Sequence, residues 1–183
     1  MAWVILAIVI VVAVIAIGWL WARLRRREQL QNRFGPEYGR AVDEHGDTRS
    51  AETELMEREA RRKQFDIRPL APESRARYLE RWKDVQARFV DEPAPAVTEA
   101  DRLIGEAMRE RGYPVDDFDQ RAADLSVDYP EVVENYRAGH SIAAQGNGDA
   151  DTEGLRQAMV HYRSLFVRLV EREETVEPAR MGR

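Results

Sequence analysis

The sequence predicts an all-α chain: one N-terminal transmembrane helix, a charged helical stalk, and a C-terminal helical bundle of about four to five helices. Three observations predict it. Residues 2–22 form one unbroken apolar run. Beyond it, apolar residues recur at helical spacing. No stretch after the run alternates apolar and polar residues as a half-buried strand does.

The apolar run holds no charge and no proline. As a helix it reaches about 31 Å, close to the hydrocarbon thickness of a bilayer. Its Val and Ile content suits a strand in water, but in lipid every backbone group must bond internally, which selects a helix. Trp3 stands near one end, and Trp19 and Trp21 near the other, matching the two interfacial aromatic belts. The bland alternative is a buried core helix. A helix apolar on every side needs a large surrounding domain, and the remaining chain is too polar to enclose one.

Arg23, Arg25, Arg26 and Arg27 follow the run at once. A cleaved signal peptide carries its positive charge before the apolar core and small residues at the cut. Here the order is reversed and no Ala-x-Ala site ends the segment, so the run reads as a single-pass signal-anchor. The positive-inside rule places the arginines and everything after them in the cytoplasm, with the N-terminus outside. Stop-transfer chemistry suffices to explain the four arginines, which only just reach the size of a polybasic lipid-binding cluster. Gly18 and Ala22 make one small-xxx-small pair, a weak signal for a homo-oligomer.

Charge divides the rest. Residues 23–70 carry 12 Lys/Arg against 10 Asp/Glu, net +2, and residues 71–183 carry 16 against 23, net −7. The distal part should be repelled by anionic lipid and by nucleic acid. No basic stripe interleaves with aromatics, which excludes nucleic-acid binding as a reading. The chain has no cysteine, hence no disulfide framework, thiol nucleophile or Cys-based metal site.

From Glu28 to Phe34 the first helix continues past the membrane, until Gly35-Pro36 breaks it. A short helix fits Pro36 to Glu44, ended by His45-Gly46. Thr48 to Gln64 reads as a long helix capped by Ser50 or Thr48. Its apolar stripe of Ala51, Leu55, Met56 and Ala60 is narrow. Glu54 and Arg58, Glu57 and Arg61, and Glu59 and Lys63 sit four apart in the favourable order. Residues 1–27 are therefore assigned to the anchor with its Arg cluster, and residues 28–71 to a helical stalk and linker ending in Arg68-Pro69-Leu70-Ala71-Pro72.

Residues 72–173 make the bundle. Ser74 to Val90 places Tyr78, Trp82, Val85 and Phe89 on one face. After the Asp91–Pro95 turn, a second helix runs from Ala96 to Arg111, stopped by Gly112 and Pro114. Asp116 to Leu125 is a short acidic helix. Tyr129-Pro130 opens the next, with Val132, Val133, Tyr136, His140 and Ala143 on one face. Residues 145–153 read as a flexible loop. The last helix spans Thr152 to Glu173, with Leu155, Met159, Tyr162, Leu165, Phe166 and Leu169 inward, and residues 174–183 read as a disordered tail.

Few residues suggest chemistry. His140 lies on the face of Tyr136, and His161 lies beside Tyr162, so the two could meet if their helices pack. Bundle metal sites present paired Glu-x-x-His motifs, and none occurs. The bland reading is two partly buried histidines at a helix seam. Asn147-Gly148-Asp149-Ala150-Asp151 imitates the start of an EF-hand, but Thr152 stands where Gly is needed and Ala158 where the bidentate Glu belongs. Asp116, Asp117, Asp119 and Asp124 favour a helix dipole without any metal. No phosphate-binding loop, nucleophile elbow or kinase signature appears, so no cofactor is implied. Tyr78, Trp82 and Phe89, with His140 and His161, could line an apolar ligand or partner pocket, although aromatics at helical spacing are more often plain core.

The segments Arg81–Asp91 (RWKDVQARFVD), Arg111–Pro114 (RGYP) and Arg156–Arg163 (RQAMVHYR) resemble an uncharacterised bacterial family of short single-span helical membrane proteins, some labelled secreted. The resemblance covers roughly residues 75–170 and implies a bacterial inner-membrane setting. It implies no activity, cofactor or catalytic residue.

The expectation is then a protein-interaction or scaffolding module held at the cytoplasmic face of the cell membrane, with the lipid bilayer and another protein as partners and no catalytic residue. A ligand-binding or enzymatic bundle near Trp82, His140 and His161 is one rival. An exported module facing the periplasm is the other.

Overall fold

The computed structural model describes residues 2–145 and 152–171, without the side chains of residues 2, 4–9, 11 and 145. Among them there are eight α-helices and no strand. The chain divides into two compact units, Met1–Met56 and Glu57–Arg183, and the division falls inside a helix.

The first unit begins with α1 (Ala2–Phe34), one continuous helix through the apolar run and the arginines. Its described residues from Ile10 to Gln29 are exposed, and only Leu30 and Phe34 are buried. Among the described residues no helix is long and apolar enough to cross a membrane. The side chains of residues 4–9 and 11, within the expected span, lie outside the described ones.

Gly35 ends α1 at φ 50, a conformation that glycine adopts at no steric cost. Pro36 then opens α2 (Pro36–His45), where its missing N–H is not needed. Gly46, at φ 73, closes α2 with its N–H on the Val42 carbonyl at 2.9 Å. The next helix, α3 (Thr48–Arg62), is capped by neither Thr48 nor Ser50. Asp47 Oδ1 accepts from the backbone N–H of Arg49 at 2.8 Å and of Ser50 at 2.9 Å. Its carboxylate satisfies two orphan donors and meets the positive end of the helix dipole. Phe34, Tyr38, Ala41, Ala51 and Leu55 are buried, and Tyr38 Oη donates to Glu52 Oε1 at 3.0 Å, tying α2 to α3.

The second unit holds the end of α3 and α4 (Pro72–Arg88), α5 (Pro93–Arg111), α6 (Phe118–Asp128), α7 (Pro130–Gln145) and α8 (Thr152–Glu171). Pro130 opens α7 as expected, while α4 and α5 start earlier than the apolar pattern suggests, at Pro72 and Pro93 in their first turns. α8 is the centre of the bundle. Its face of Leu155, Ala158, Met159, Tyr162, Leu165, Phe166, Leu169 and Val170 packs against α7 on one side and α5 on the other. α4 packs on α5, and α6 on α7. Trp82 of α4 stacks on Phe166 of α8 with ring centroids 4.4 Å apart. α7 and α8 cross closely at Gly139, where a Cβ would stand 3.0 Å from the Tyr162 ring.

The stretch Asn147–Asp151 and residues 174–183, read above as a calcium-like loop and a tail, lie outside the described residues.

Candidate functional site

The residues expected at a membrane interface share one helix, α1. Trp3, Trp19 and Trp21 are each more than half exposed. The guanidinium of Arg25 lies 3.6 Å from the Trp21 ring centroid, and that of Arg23 lies 5.7 Å from the Trp19 ring. Such pairs are four residues apart, so the cation lies back over the ring one turn before it. Arg26 and Arg27 follow on the same exposed stretch of α1.

The expected pocket residues are dispersed through the second unit. Tyr78 is buried, and its Oη donates to Glu110 Oε2 at 2.9 Å. Burial and the Glu110 carboxylate push the Tyr78 phenol up to about 12. Trp82 is buried in its stack with Phe166. Phe89 packs at the edge of the core. His140 stacks on Phe118 with centroids 3.6 Å apart. His161 is half-buried where Gly139 meets α8. The structure brings His140 close to Tyr136 through their shared contact with Phe118, whose ring centroid is 5.0 Å from that of Tyr136. It does not gather the five residues around the clefts described here.

Beside His140 lies a buried polar group. Tyr136 Oη donates to Asp101 Oδ1 at 3.0 Å, and Arg121 Nη2 stands 3.8 Å from Asp101 Oδ2. The Tyr162 hydroxyl is buried nearby without a hydrogen bond among the described residues. Burial first, and the Asp101 charge second, raise both tyrosines well above the ordinary phenol range, so neither serves as a base at neutral pH.

Arg111 makes a second polar knot that the sequence did not single out. It is fully buried at the end of α5. Its Nε donates to the Arg68 carbonyl at 3.1 Å and its Nη1 to the Leu169 carbonyl at 2.9 Å, while Nη1 also donates to Tyr129 Oη. One guanidinium thus joins the linker before α4, the α6–α7 corner and the last turn of α8, where a cation also suits the helix dipole. Next to it Tyr113 Oη donates to Asp128, which also holds Arg62. Asp128, Tyr129, Glu131, Val167, Arg168 and Glu171 line a cleft of about 520 Å³ over this knot. Three carboxylates against one arginine make it acidic, and Arg168 Nε lies 3.7 Å from Glu131.

The charged end of α3 belongs to this unit for a similar reason. Arg58 Nη1 donates to Ser126 Oγ at 3.1 Å, Arg61 Nε to Asp124 Oδ1 at 3.0 Å, and Arg62 to Asp128. Arg61 thus reaches across to α6 as well as lying four residues after Glu57. Of the acidic run, Asp117 caps α6 through the Gln120 N–H at 2.9 Å, and Asp116 meets Arg61 at 3.3 Å. Asp124 is fully buried, and its desolvation raises its pKa although Arg61 pulls the other way. Among the described residues no group of three or more His, Asp or Glu is placed to hold a metal ion. Comparisons with protein-family models, with curated proteins and with solved structures return no match.

Proposed function

We propose that the chain is a single-pass, signal-anchored membrane protein whose acidic helical unit binds another protein at the cytoplasmic face. The observation that carries this reading is α1: 21 uncharged residues continuous with Arg23, Arg25, Arg26 and Arg27 in one helix. Ten large apolar side chains between Trp3 and Leu24 are exposed. Soluble monomers rarely expose a patch of that extent, whereas hydrocarbon covers it. The Trp19–Arg23 and Trp21–Arg25 pairs suit the boundary, where a ring faces the acyl chains and the cation faces the headgroups. The arginines orient the helix, with the second unit inside.

The binding role is supported by what the second unit offers: a dense aromatic core, a net negative charge, and a cleft with charged rims. Such a cleft suits a lysine- or arginine-bearing segment more than an apolar ligand. On this reading the chain joins the bacterial single-span family that its distal segments resemble.

Two measurements test the proposal. Alkaline carbonate should leave the full chain in the membrane pellet, and release into the supernatant would remove the anchor. A photo-crosslinking residue at Glu171, on the rim of the cleft, should give one reproducible adduct in living cells. Absence of an adduct across growth conditions would count against partner binding.

A further inference from the structure

The first unit contains a cleft of about 290 Å³ between α1 and the start of α3, lined by Trp19, Arg23, Arg26, Arg49, Glu52 and Thr53. We infer that this cleft binds the phosphate of an anionic lipid headgroup at the cytoplasmic membrane surface. The inference rests on the proposed anchor and assigns it a lipid class.

Three arginines from two helices converge here, although Arg49 is far from the other two in sequence. None of them holds a carboxylate among the described residues. By contrast Arg40, Arg61, Arg62, Arg77, Arg81 and Arg102 each do. In a chain with 33 Asp/Glu, three arginines gathered without a carboxylate partner leave a vacancy for an anion. Glu52 lines the cleft but already accepts from Tyr38, and the Thr53 hydroxyl donates to the Arg49 carbonyl at 2.9 Å. The lining therefore carries a net charge of +2, from three arginines and one glutamate.

Depth agrees with the chemistry. Arg23 and Arg26 stand about 1.5 and 6 Å beyond Ala22, the end of the apolar run, along the helix axis. The headgroup layer is roughly 5–8 Å thick on each side. Trp19 lies one turn deeper, at the level of the interfacial belt. A phosphodiester in the cleft would thus sit at its natural height, with its acyl chains running along the exposed apolar face of α1. Guanidinium groups suit it because their planar fork donates to phosphate oxygens in pairs.

The test uses the full chain in phosphatidylcholine vesicles with a trace of spin-labelled phosphatidylglycerol or, separately, of spin-labelled phosphatidylcholine. The immobilised fraction of each lipid is read by electron paramagnetic resonance. The wild type should immobilise phosphatidylglycerol preferentially, and Arg49→Ala should lower that preference about fivefold. Arg25→Ala removes the same charge from a residue of α1 between Arg23 and Arg26 but outside the cleft, and should change it much less. Arg49 is exposed, so its variant should keep its helicity and its resistance to alkaline extraction. Equal losses from Arg49→Ala and Arg25→Ala would overturn the site in favour of diffuse attraction. Abolition of the preference by millimolar inorganic phosphate would overturn the lipid as its source. Loss of the wild type itself from the vesicles on alkaline washing would instead refute the anchor.

Discussion

Gly112→Ala should cost the second unit about 2–3 kcal/mol, from two separable sources. Gly112 ends α5 at φ 98, with its N–H on the Arg109 carbonyl and the Tyr113 N–H on the Met108 carbonyl, both at 3.0 Å. Any Cβ-bearing residue there pays about 1–2 kcal/mol for the left-handed backbone. A Cβ would also lie 2.3 Å from the Asp66 carbonyl oxygen, which is backbone and not the free end of a side chain. The linker must move away, and the bond from the Arg68 N–H to the Arg111 carbonyl, now 2.9 Å, is the first to go, at about 1 kcal/mol. Urea unfolding of the full chain in mild detergent, followed by circular dichroism, measures the sum. Hydrogen exchange at the Arg68 amide measures the local part. Gly112→Asn separates the two, because asparagine tolerates the left-handed region but still carries the Cβ. A Gly112→Asn variant close to wild type, or an unchanged Arg68 exchange rate in Gly112→Ala, would refute the close approach.

Other consequences follow from the same packing. Phe166→Ala removes the partner of Trp82 from the centre of the bundle and should cost about 3–5 kcal/mol by urea unfolding, with loss of the near-ultraviolet tryptophan signal. Asp117→Ala deletes the α6 cap and should cost about 1 kcal/mol, with faster exchange of the Gln120 amide. Acid stability has two opposed contributions. The Glu99, Glu106 and Glu110 carboxyls are held below their ordinary value of 4.5, first by hydrogen bonds from Arg102, Arg81 and Ser74 respectively. Their folded pKa values lie below the unfolded one, so they add stability above about pH 4.5 that is lost as pH falls through the folded values. Asp124 is raised above 3.8 by burial, so its folded form binds the proton more tightly and it returns stability as pH falls. The urea midpoint should therefore fall below pH 4.5 in the wild type, less steeply in Glu106→Gln and more steeply in Asp124→Asn. Parallel curves for all three would contradict these assignments.

The parts of the fold that were legible are those that write themselves locally. Gly112-Tyr113-Pro114 announced the end of α5, Gly35-Pro36 the break after α1, and the spacing of Leu155, Met159, Tyr162, Leu165, Phe166 and Leu169 the inner face of α8. The charged residues whose partners lie far away in sequence were the least legible. The sequence marks Arg111 only as the end of a helix, and its full burial depends on acceptors from Arg68, Tyr129 and Leu169. Asp124 reads as part of an acidic helix start in the sequence, but the Arg61 side chain reaches it from the end of α3. Asp47 caps α3, although Thr48 and Ser50 beside it carry side chains of similar capping ability that the sequence does not rank below it. Arg23 and Arg26 stand out in the sequence behind the apolar run, but Arg49 does not: only the turn-back of α2 and α3 brings it to them.

The anchor and its direction are tested most directly by labelling single cysteines in a chain that has none of its own. Val90→Cys places the thiol at an 82% exposed position after α4, and Trp3→Cys places one at the far end of α1. A membrane-impermeant maleimide should label Trp3→Cys in intact cells and Val90→Cys only after the membrane is opened. Labelling of Val90→Cys in intact cells would contradict the cytoplasmic placement of the helical unit.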